Sequence, residues 1–119
     1  MATHNQVGTA GEEAAAAWLV ANGYALVHRN WRYSYFEIDI IATRNEWLHF
    51  IEVKARNQSN YGHPEDAVTR RKFKRLQRAA DQYLFLYPGS RWIQYDVLTV
   101  SFRGDEEPVF FILEDVYYQ

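Results

Sequence analysis

The sequence contains no cysteine, which excludes a disulfide framework and any zinc site built on thiolates. It has no run of about 18 apolar residues, so we expect no membrane-spanning helix and no membrane partner. Residues 1–7 lack a positive cluster followed by an apolar segment, which argues against a secretory signal. These absences predict a soluble protein of the cytoplasm.

The chain also lacks a large excess of either charge. Its formal net charge is −2 over 119 residues, and such a balance does not by itself indicate binding to nucleic acid. The distribution is uneven, because Arg70 to Arg78 contains six basic residues and no acid, whereas Asp105 to Asp115 contains five acids. With 48% hydrophobic residues the chain can form one packed core. We therefore predict a single domain over residues 1–119, in which basic and acidic residues are concentrated in different segments.

Apolar periodicity and turn residues predict helices and strands along most of the chain. Glu12 and Glu13 fall where negative charge favours the start of a helix, and the polar segment Asn57 to His63 is typical of a solvated connector. The fourth strand directly follows a helix, which implies a crossover and a parallel neighbour. Thr69 is predicted to be a helix N-cap. The predicted elements are a helix over Gly11–Asn22, a strand over Tyr24–Tyr33, a hairpin over Phe36–Lys54, a helix over Glu65–Tyr87 that breaks near Thr69, and strands over Arg91–Phe102 and Val109–Leu113.

The hairpin over Phe36–Lys54 carries unexpected charges inside apolar strands. An even number of turn residues places Asp39 opposite Glu52 and Glu37 opposite Lys54. Opposed residues of an antiparallel pair point to the same side, with Cβ atoms roughly 4.5 to 5.5 Å apart. Three carboxylates and one ammonium therefore converge on one small patch of a strand pair whose two faces are both largely apolar.

Like charges held together in a poorly hydrated place repel each other unless something offsets them. A divalent cation would do so, and Mg²⁺ suits such a place because it takes one or two carboxylates and keeps several waters. Lys54 beside such a cation is a donor able to orient a water or to stabilise charge on a phosphate. The alternative is that Lys54 simply neutralises Glu37 or Glu52, with no metal. Spacing alone gives the two interpretations equal weight.

A row of arginines follows one edge of the second predicted helix. Arg71, Arg75 and Arg78 recur at intervals of four and three residues, beside an apolar stripe. Most charged helix faces are simply solvated. Because no acid interrupts this row, the pattern favours contact with phosphates.

The order of the elements resembles the core of the PD-(D/E)XK nuclease superfamily. Asp39 matches the first acid of that superfamily, and Glu52-Val53-Lys54 matches its (D/E)XK element. Other segments resemble the small bacterial YraN-like family, and this likeness spans nearly the whole chain. The segments are Gly11-Glu12, Gly23-Tyr24, Asn30-Trp31-Arg32, Glu37 to Ala42, Glu52 to Arg56 and the helix from Lys72 to Leu84.

The resemblance implies an α/β fold with a restriction-endonuclease-like αβββαβ core, in which a central mixed β-sheet is flanked by helices. It also implies a metal-dependent nuclease that hydrolyses phosphodiester bonds, with Mg²⁺ or Mn²⁺ as the cofactor and nucleic acid, expected to be branched or structured DNA, as the partner. Glu12 corresponds to the helix acid of archaeal Holliday-junction resolvases. The implied roles are catalysis for Glu12, Glu37, Asp39, Glu52 and Lys54, metal binding for Asp39, Glu52 and the Val53 carbonyl, and nucleic-acid binding for Arg56, Arg71, Lys72, Arg75 and Arg78.

One residue departs from the family pattern. Where the family usually has Gly before Glu-Ile-Asp, this chain has Phe36, whose bulk narrows the approach of a nucleic-acid backbone to Asp39. This departure and the acidic charge balance favour a second hypothesis, a module that keeps the nuclease fold and binds nucleic acid without turnover. A third hypothesis is a protein-interaction domain that uses an aromatic surface. The number of subunits stays open, with a homodimer among the options.

Overall fold

Five strands form one mixed β-sheet, and a helix packs on each of its faces. The structure, a computed structural model, describes residues 4–57, 69–89 and 92–116. The elements are α1 (His4–Ala21), β1 (Ala25–Tyr33), β2 (Phe36–Arg44), β3 (Trp47–Asn57), α2 (Arg70–Leu86), β4 (Trp92–Arg103) and β5 (Glu106–Leu113). The strands lie side by side in chain order. β3 and β4 are parallel, and all other neighbours are antiparallel.

This architecture confirms the predicted αβββαβ core, to which β5 is added. The direct step from α2 into β4 produces the parallel pair with β3 that a crossover requires. β2 and β3 occupy central positions in the sheet, as their apolar character on both faces predicts. Within the described ranges, neither helix combines the length and the apolar character needed to cross a membrane.

The first helix starts earlier than predicted. It begins at His4 rather than at Gly11, and Gly8 within it does not end the helix, because one glycine costs only about 1 kcal/mol. Glu12 and Glu13 are therefore mid-helix residues, and their predicted place in the first turn is wrong. Glu13 instead accepts a hydrogen bond of 2.7 Å from Arg29 on β1.

The second helix begins at a defined cap. The hydroxyl of Thr69 accepts a hydrogen bond of 3.2 Å from the backbone N–H of Lys72, which confirms the predicted role of this threonine. The cap places Lys72 in the first turn of α2. Most of the predicted connector and the predicted helical residues before Thr69 fall in residues 58–68, outside the described residues.

The β2–β3 hairpin has the predicted register but ends early. Its turn, Asn45–Glu46, has positive φ at both residues (52° and 71°), which is the type I′ geometry of tight hairpins. Backbone pairing continues as far as Ile40 and Ile51 and stops there. The predicted opposition of Asp39 and Glu52, one pair further along, therefore lies beyond the paired part of the hairpin.

Each face of the sheet carries its own apolar cluster. The cluster under α1 includes Ala15, Ala16, Leu19, Ile40, Ile51 and Leu98. The cluster under α2 includes Ile38, Ile41, Phe50, Leu76, Ala80 and Tyr83. Strict alternation would put Ile38 and Ile40 on the same face, so the alternation of β2 breaks at Asp39.

α1 lies very close to β3 at Gly11. A Cβ atom added to this buried glycine would lie 2.3 Å from the Cβ of Ala55. Side chains therefore do not fit at this position, and the absence of one lets the helix approach the strand. The next residue of the helix, Glu12, is thereby brought to the central strands.

We expect Gly11→Ala to lower the free energy of unfolding by roughly 1 to 3 kcal/mol, because overpacking outweighs the gain in helix propensity. Gly8→Ala is the matched control, since nothing lies within 4 Å of the added Cβ. It should raise stability by up to about 1 kcal/mol. Urea unfolding followed by circular dichroism measures both, and adding Ala55→Gly should restore part of the loss. Equal stability of the two alanine variants would contradict the close approach.

Candidate active site

Asp39 lies where the backbone pairing of β2 and β3 ends. Its Oδ2 atom accepts a hydrogen bond of 2.8 Å from the backbone N–H of Val53, so a carboxylate takes the place of a strand carbonyl. Its Oδ1 atom accepts no hydrogen bond from the part of the chain that the structure describes. The pKa of Asp39 is raised from 3.8 to about 7, chiefly by burial and against the effect of the Val53 hydrogen bond. The nearby carboxylates of Glu52, Glu12 and Glu37 contribute to this rise.

Glu52 and Lys54 extend from β3 toward α2. The Nζ atom of Lys54 lies 3.8 Å from Oε1 of Glu52, and the two side chains are 34% and 29% exposed. Burial raises the pKa of Glu52, while Lys54, Lys72 and Arg75 act in the opposite direction. Glu52 is therefore surrounded by cations that come from two different elements.

Lys72, in the first turn of α2, approaches Lys54 closely. The ammonium group of Lys54 is near enough to lower the pKa of Lys72. Burial lowers it further, and Glu52 opposes the change. Two ammonium groups held side by side repel each other, and a bound anion would relieve that repulsion. The pair is thus suited to a phosphate group.

A cavity of about 450 Å³ that is open to solvent joins these groups. Its lining comes from three places in the fold: the β1–β2 turn and the start of β2, the end of β3, and one side of α2. The lining residues are Tyr35, Phe36, Glu37, Glu52, Lys54, Lys72, Arg75, Leu76 and Arg78. Asp39 does not line this cavity, but two residues that do, Glu52 and Glu37, are near enough to raise its pKa.

The remaining predicted residues lie around the cavity or away from it. Glu12, from α1, is near enough to Asp39 to raise its pKa, so the structure brings it to the site. Arg71 lines a neighbouring cavity of about 330 Å³, which it shares with Arg75 and Arg78. Arg56 donates a hydrogen bond of 3.3 Å to Ser101 on β4 and does not line either cavity.

Glu37 lines the cavity, but most of its side chain is exposed to solvent. Its side chain is 65% exposed and lies 3.6 Å from the guanidinium of Arg32 on β1. The predicted opposition to Lys54 does not occur as a strand pair, because the backbone pairing ends before it. Both side chains nevertheless line the same cavity.

The oxygen ligands available here fit a magnesium-like ion that keeps part of its water. Across residues 4–57, 69–89 and 92–116, no three His, Cys, Asp or Glu side chains form a group that could hold a metal ion. Asp39 and Glu52 are close enough for the charge of one to raise the pKa of the other. Because Mg²⁺ takes one or two carboxylates and keeps several waters, these two side chains with the Val53 carbonyl are a sufficient donor set.

Sequence reasoning missed two residues that matter to the site. Tyr35 occupies the β1–β2 turn with its side chain 98% exposed, and it lines the cavity. The available signal was an aromatic residue in a turn directly before the strand that carries Asp39. Gly11 is predicted from the sequence as the start of the first helix and as part of a family segment, and neither feature indicates its close approach to Ala55.

Comparison with known proteins places the chain in a family. The sequence model of "Uncharacterised protein family UPF0102" matches residues 11–100. The chain belongs to this family. The match includes every candidate site residue, from Glu12 to Arg78, and the description of UPF0102 states no activity.

Relatives within UPF0102 cover most of the chain. A UPF0102 protein of Bacteroides thetaiotaomicron is 45% identical over 100 residues, which are 84% of this chain and 83% of the relative. One from Cytophaga hutchinsonii is 40% identical over 106 residues, covering 89% and 92% of the two chains. One from Parabacteroides distasonis is 37% identical over 120 residues, covering 99% and 97%. The similarity therefore extends over whole proteins and not over a shared segment alone.

The raised pKa of Asp39 makes the stability of this UPF0102 protein depend on pH. A pKa of about 7 in the folded state, against the ordinary 3.8, means that the folded state binds this proton more tightly. The resulting stabilisation is complete below the unfolded pKa and is lost as the pH rises through about 7. Asp39→Asn keeps an acceptor for the Val53 N–H but does not ionise. We expect it to gain up to roughly 4 kcal/mol relative to wild type between about pH 4 and about pH 8.

Urea unfolding across this pH range measures the difference, and Asp81→Asn, an exposed site on α2, is the control. Parallel pH profiles for wild type and Asp39→Asn would contradict the burial of an ionisable carboxyl at this position.

Proposed function

We propose that this UPF0102 protein is a divalent-metal-dependent nuclease that hydrolyses phosphodiester bonds of nucleic acid, with DNA as the expected substrate. The observation that carries the proposal is the meeting of Asp39, Glu52 and Lys54 at one end of the central strands, beside a cavity lined by cations. The resemblance of Asp39 and Glu52-Val53-Lys54 to the PD-(D/E)XK nucleases supports it. The mixed sheet flanked by two helices is consistent with that resemblance.

Asp39 and Glu52, with the Val53 carbonyl, would hold Mg²⁺ or Mn²⁺. The hydrogen bond from the Val53 N–H fixes Oδ2 of Asp39 and so orients Oδ1 as a ligand. When bound, the metal ion supplies positive charge that polarises the phosphate and lowers the pKa of a coordinated water. The mutual repulsion of the two carboxylates disfavours their ionised, metal-binding form, and the positive charge of the ion would offset that repulsion.

Hydrolysis joins the oxygen of a water molecule to phosphorus and breaks the bond from phosphorus to the leaving oxygen, which takes up a proton. Lys54 would orient that water or stabilise the negative charge that develops on the phosphate. Lys72 lies within reach of Lys54 and would bind the same phosphate group. Glu12 and Glu37 would help to place the water or the metal ion.

The arginines of α2 would hold the substrate backbone. Arg75 and Arg78 line the cavity that contains Glu52, and together with Arg71 they line the neighbouring cavity. The basic surface is therefore continuous along α2, as a chain of phosphates requires. Arg56 would contribute a further contact at the end of β3.

We expect Asp39→Asn and Lys54→Ala to lower cleavage by at least about 100-fold, because each removes a group that acts on the reacting phosphate. The assay incubates the protein with Mg²⁺ or Mn²⁺ and with labelled single-stranded, duplex, flap and four-way-junction DNA and the corresponding RNA. Arg103→Ala, which removes a charge from β4 at a residue that lines neither cavity, is the control and should retain most activity.

Chelation of the metal should abolish cleavage in the wild type. Equal residual cleavage by the wild type, Asp39→Asn and Lys54→Ala would identify a contaminating nuclease and would reject the proposal.

A second candidate function is nucleic-acid binding without turnover. The observation that favours it is Phe36, a bulky side chain that lines the cavity where the family usually has glycine. In this case binding should persist in Asp39→Asn, with no cleavage of any substrate in the wild type. The cations of α2 would then carry the function alone.

For either function, we expect the Arg75→Gln/Arg78→Gln variant to weaken binding and to reduce the slope of log Kd against log salt concentration by about 2, one for each lost phosphate contact. Fluorescence anisotropy over a salt series measures this slope. The Arg29→Gln/Arg103→Gln variant removes the same net charge from residues outside both cavities and should leave the slope unchanged. Equal slopes for the two double variants would contradict a binding site on α2.

A further inference from the structure

The cavity beside the carboxylates has two chemically different sides. One side, from α2, carries the cations Lys72, Arg75 and Arg78. The other side, from the β1–β2 turn, carries the aromatic residues Tyr35 and Phe36. The proposed phosphodiester chemistry uses the cations and the carboxylates of the site. The aromatic side has no role in it.

The position of Tyr35 is set by the fold. The turn is tight, because Tyr33 and Phe36 on either side of it form a strand pair, and Ser34 adopts a positive φ of 55°. Phe36 packs against the apolar cluster under α2, which anchors the residue next to Tyr35. The side chain of Tyr35 is nevertheless 98% exposed, so its ring is free to take a ligand at the edge of the cavity.

A single strand of nucleic acid matches this division of the cavity. Its phosphates lie along one edge and its bases along the other, and proteins bind such strands by combining a cationic groove with aromatic rings on which bases stack. In a duplex the base faces are already covered by their stacked neighbours. An aromatic side chain beside a row of cations therefore favours an unpaired nucleotide.

We propose that this cavity binds an unpaired nucleotide, with its base stacked on Tyr35 and its phosphates held by Arg75 and Arg78. This inference rests on the proposed function and makes it more specific. The preferred substrate carries single-stranded character next to the phosphate that lies between Lys54 and Lys72. Tyr35 is then a specificity-determining residue. Phe36 forms part of the same aromatic surface and does not obstruct the substrate.

The test compares the affinity of the full chain for a labelled oligonucleotide and for the duplex of the same sequence, with chelator present so that no cleavage occurs. We expect Tyr35→Ala to weaken single-strand binding by about 5- to 150-fold and to leave duplex binding unchanged. Tyr35→Phe should retain the wild-type preference, because it keeps the ring. Phe85→Ala is the matched control, since Phe85 is 80% exposed on α2 and does not line the cavity.

A second measurement detects the stacking itself. A fluorescent adenine analogue in the single strand should lose intensity on binding to the wild type and to Tyr35→Phe, and not on binding to Tyr35→Ala. Circular dichroism of the three proteins shows whether the fold is kept.

The outcomes separate the inference from the function on which it rests. Absence of binding to both strand forms in the wild type would reject the nucleic-acid function, and the aromatic surface would then belong to a protein interface. Binding or cleavage in the wild type with an unchanged single-strand affinity in Tyr35→Ala would overturn the inference alone. An equal loss for single strand and duplex would also overturn it, because the ring would then not distinguish unpaired bases.

Discussion

The hydrogen bond from the Val53 N–H to Asp39 is the interaction on which the site depends. Backbone pairing between β2 and β3 stops at Ile40 and Ile51, and a carboxylate replaces the carbonyl that would have continued it. This replacement gives the backbone N–H of Val53 a hydrogen-bond acceptor. It also holds an ionisable group in a place where burial raises its pKa to about 7. The end of the hairpin pairing and the position of the buried carboxyl therefore coincide at one contact.

The two helices complete this arrangement from opposite faces of the sheet. On one face, a glycine without a side chain lets α1 approach Ala55 and brings Glu12 to Asp39. On the other face, the cap at Thr69 starts α2 so that Lys72 lies in its first turn and reaches Lys54. Gly11 and Thr69 thus determine the positions of the Glu12 carboxylate and the Lys72 ammonium group, although neither residue carries a charge.

The charges of the site are poorly balanced within the protein itself. Carboxylates repel one another around Asp39, and two lysines are held side by side beside Glu52. A cation would relieve the first repulsion and a phosphate the second, so both would be expected to bind with a gain in stability. By contrast, the buried pair at the far part of β3 is satisfied internally. His49 lies 2.6 Å from Asp96, whose other oxygen accepts hydrogen bonds from Gln94 and from the backbone N–H of Asp115.

The sequence by itself determined the element order, the register of the β2–β3 hairpin, the parallel β4 and the cap of α2, because periodicity, turn residues and caps act between near neighbours in the chain. It also located the charges that enter the site. Only the tertiary structure decided that pairing stops at Ile40, that Ile38 changes face, and that Tyr35 shares a cavity with Arg75. These features arise from contacts between segments distant in sequence, where packing and hydrogen bonding override the alternation of a regular strand.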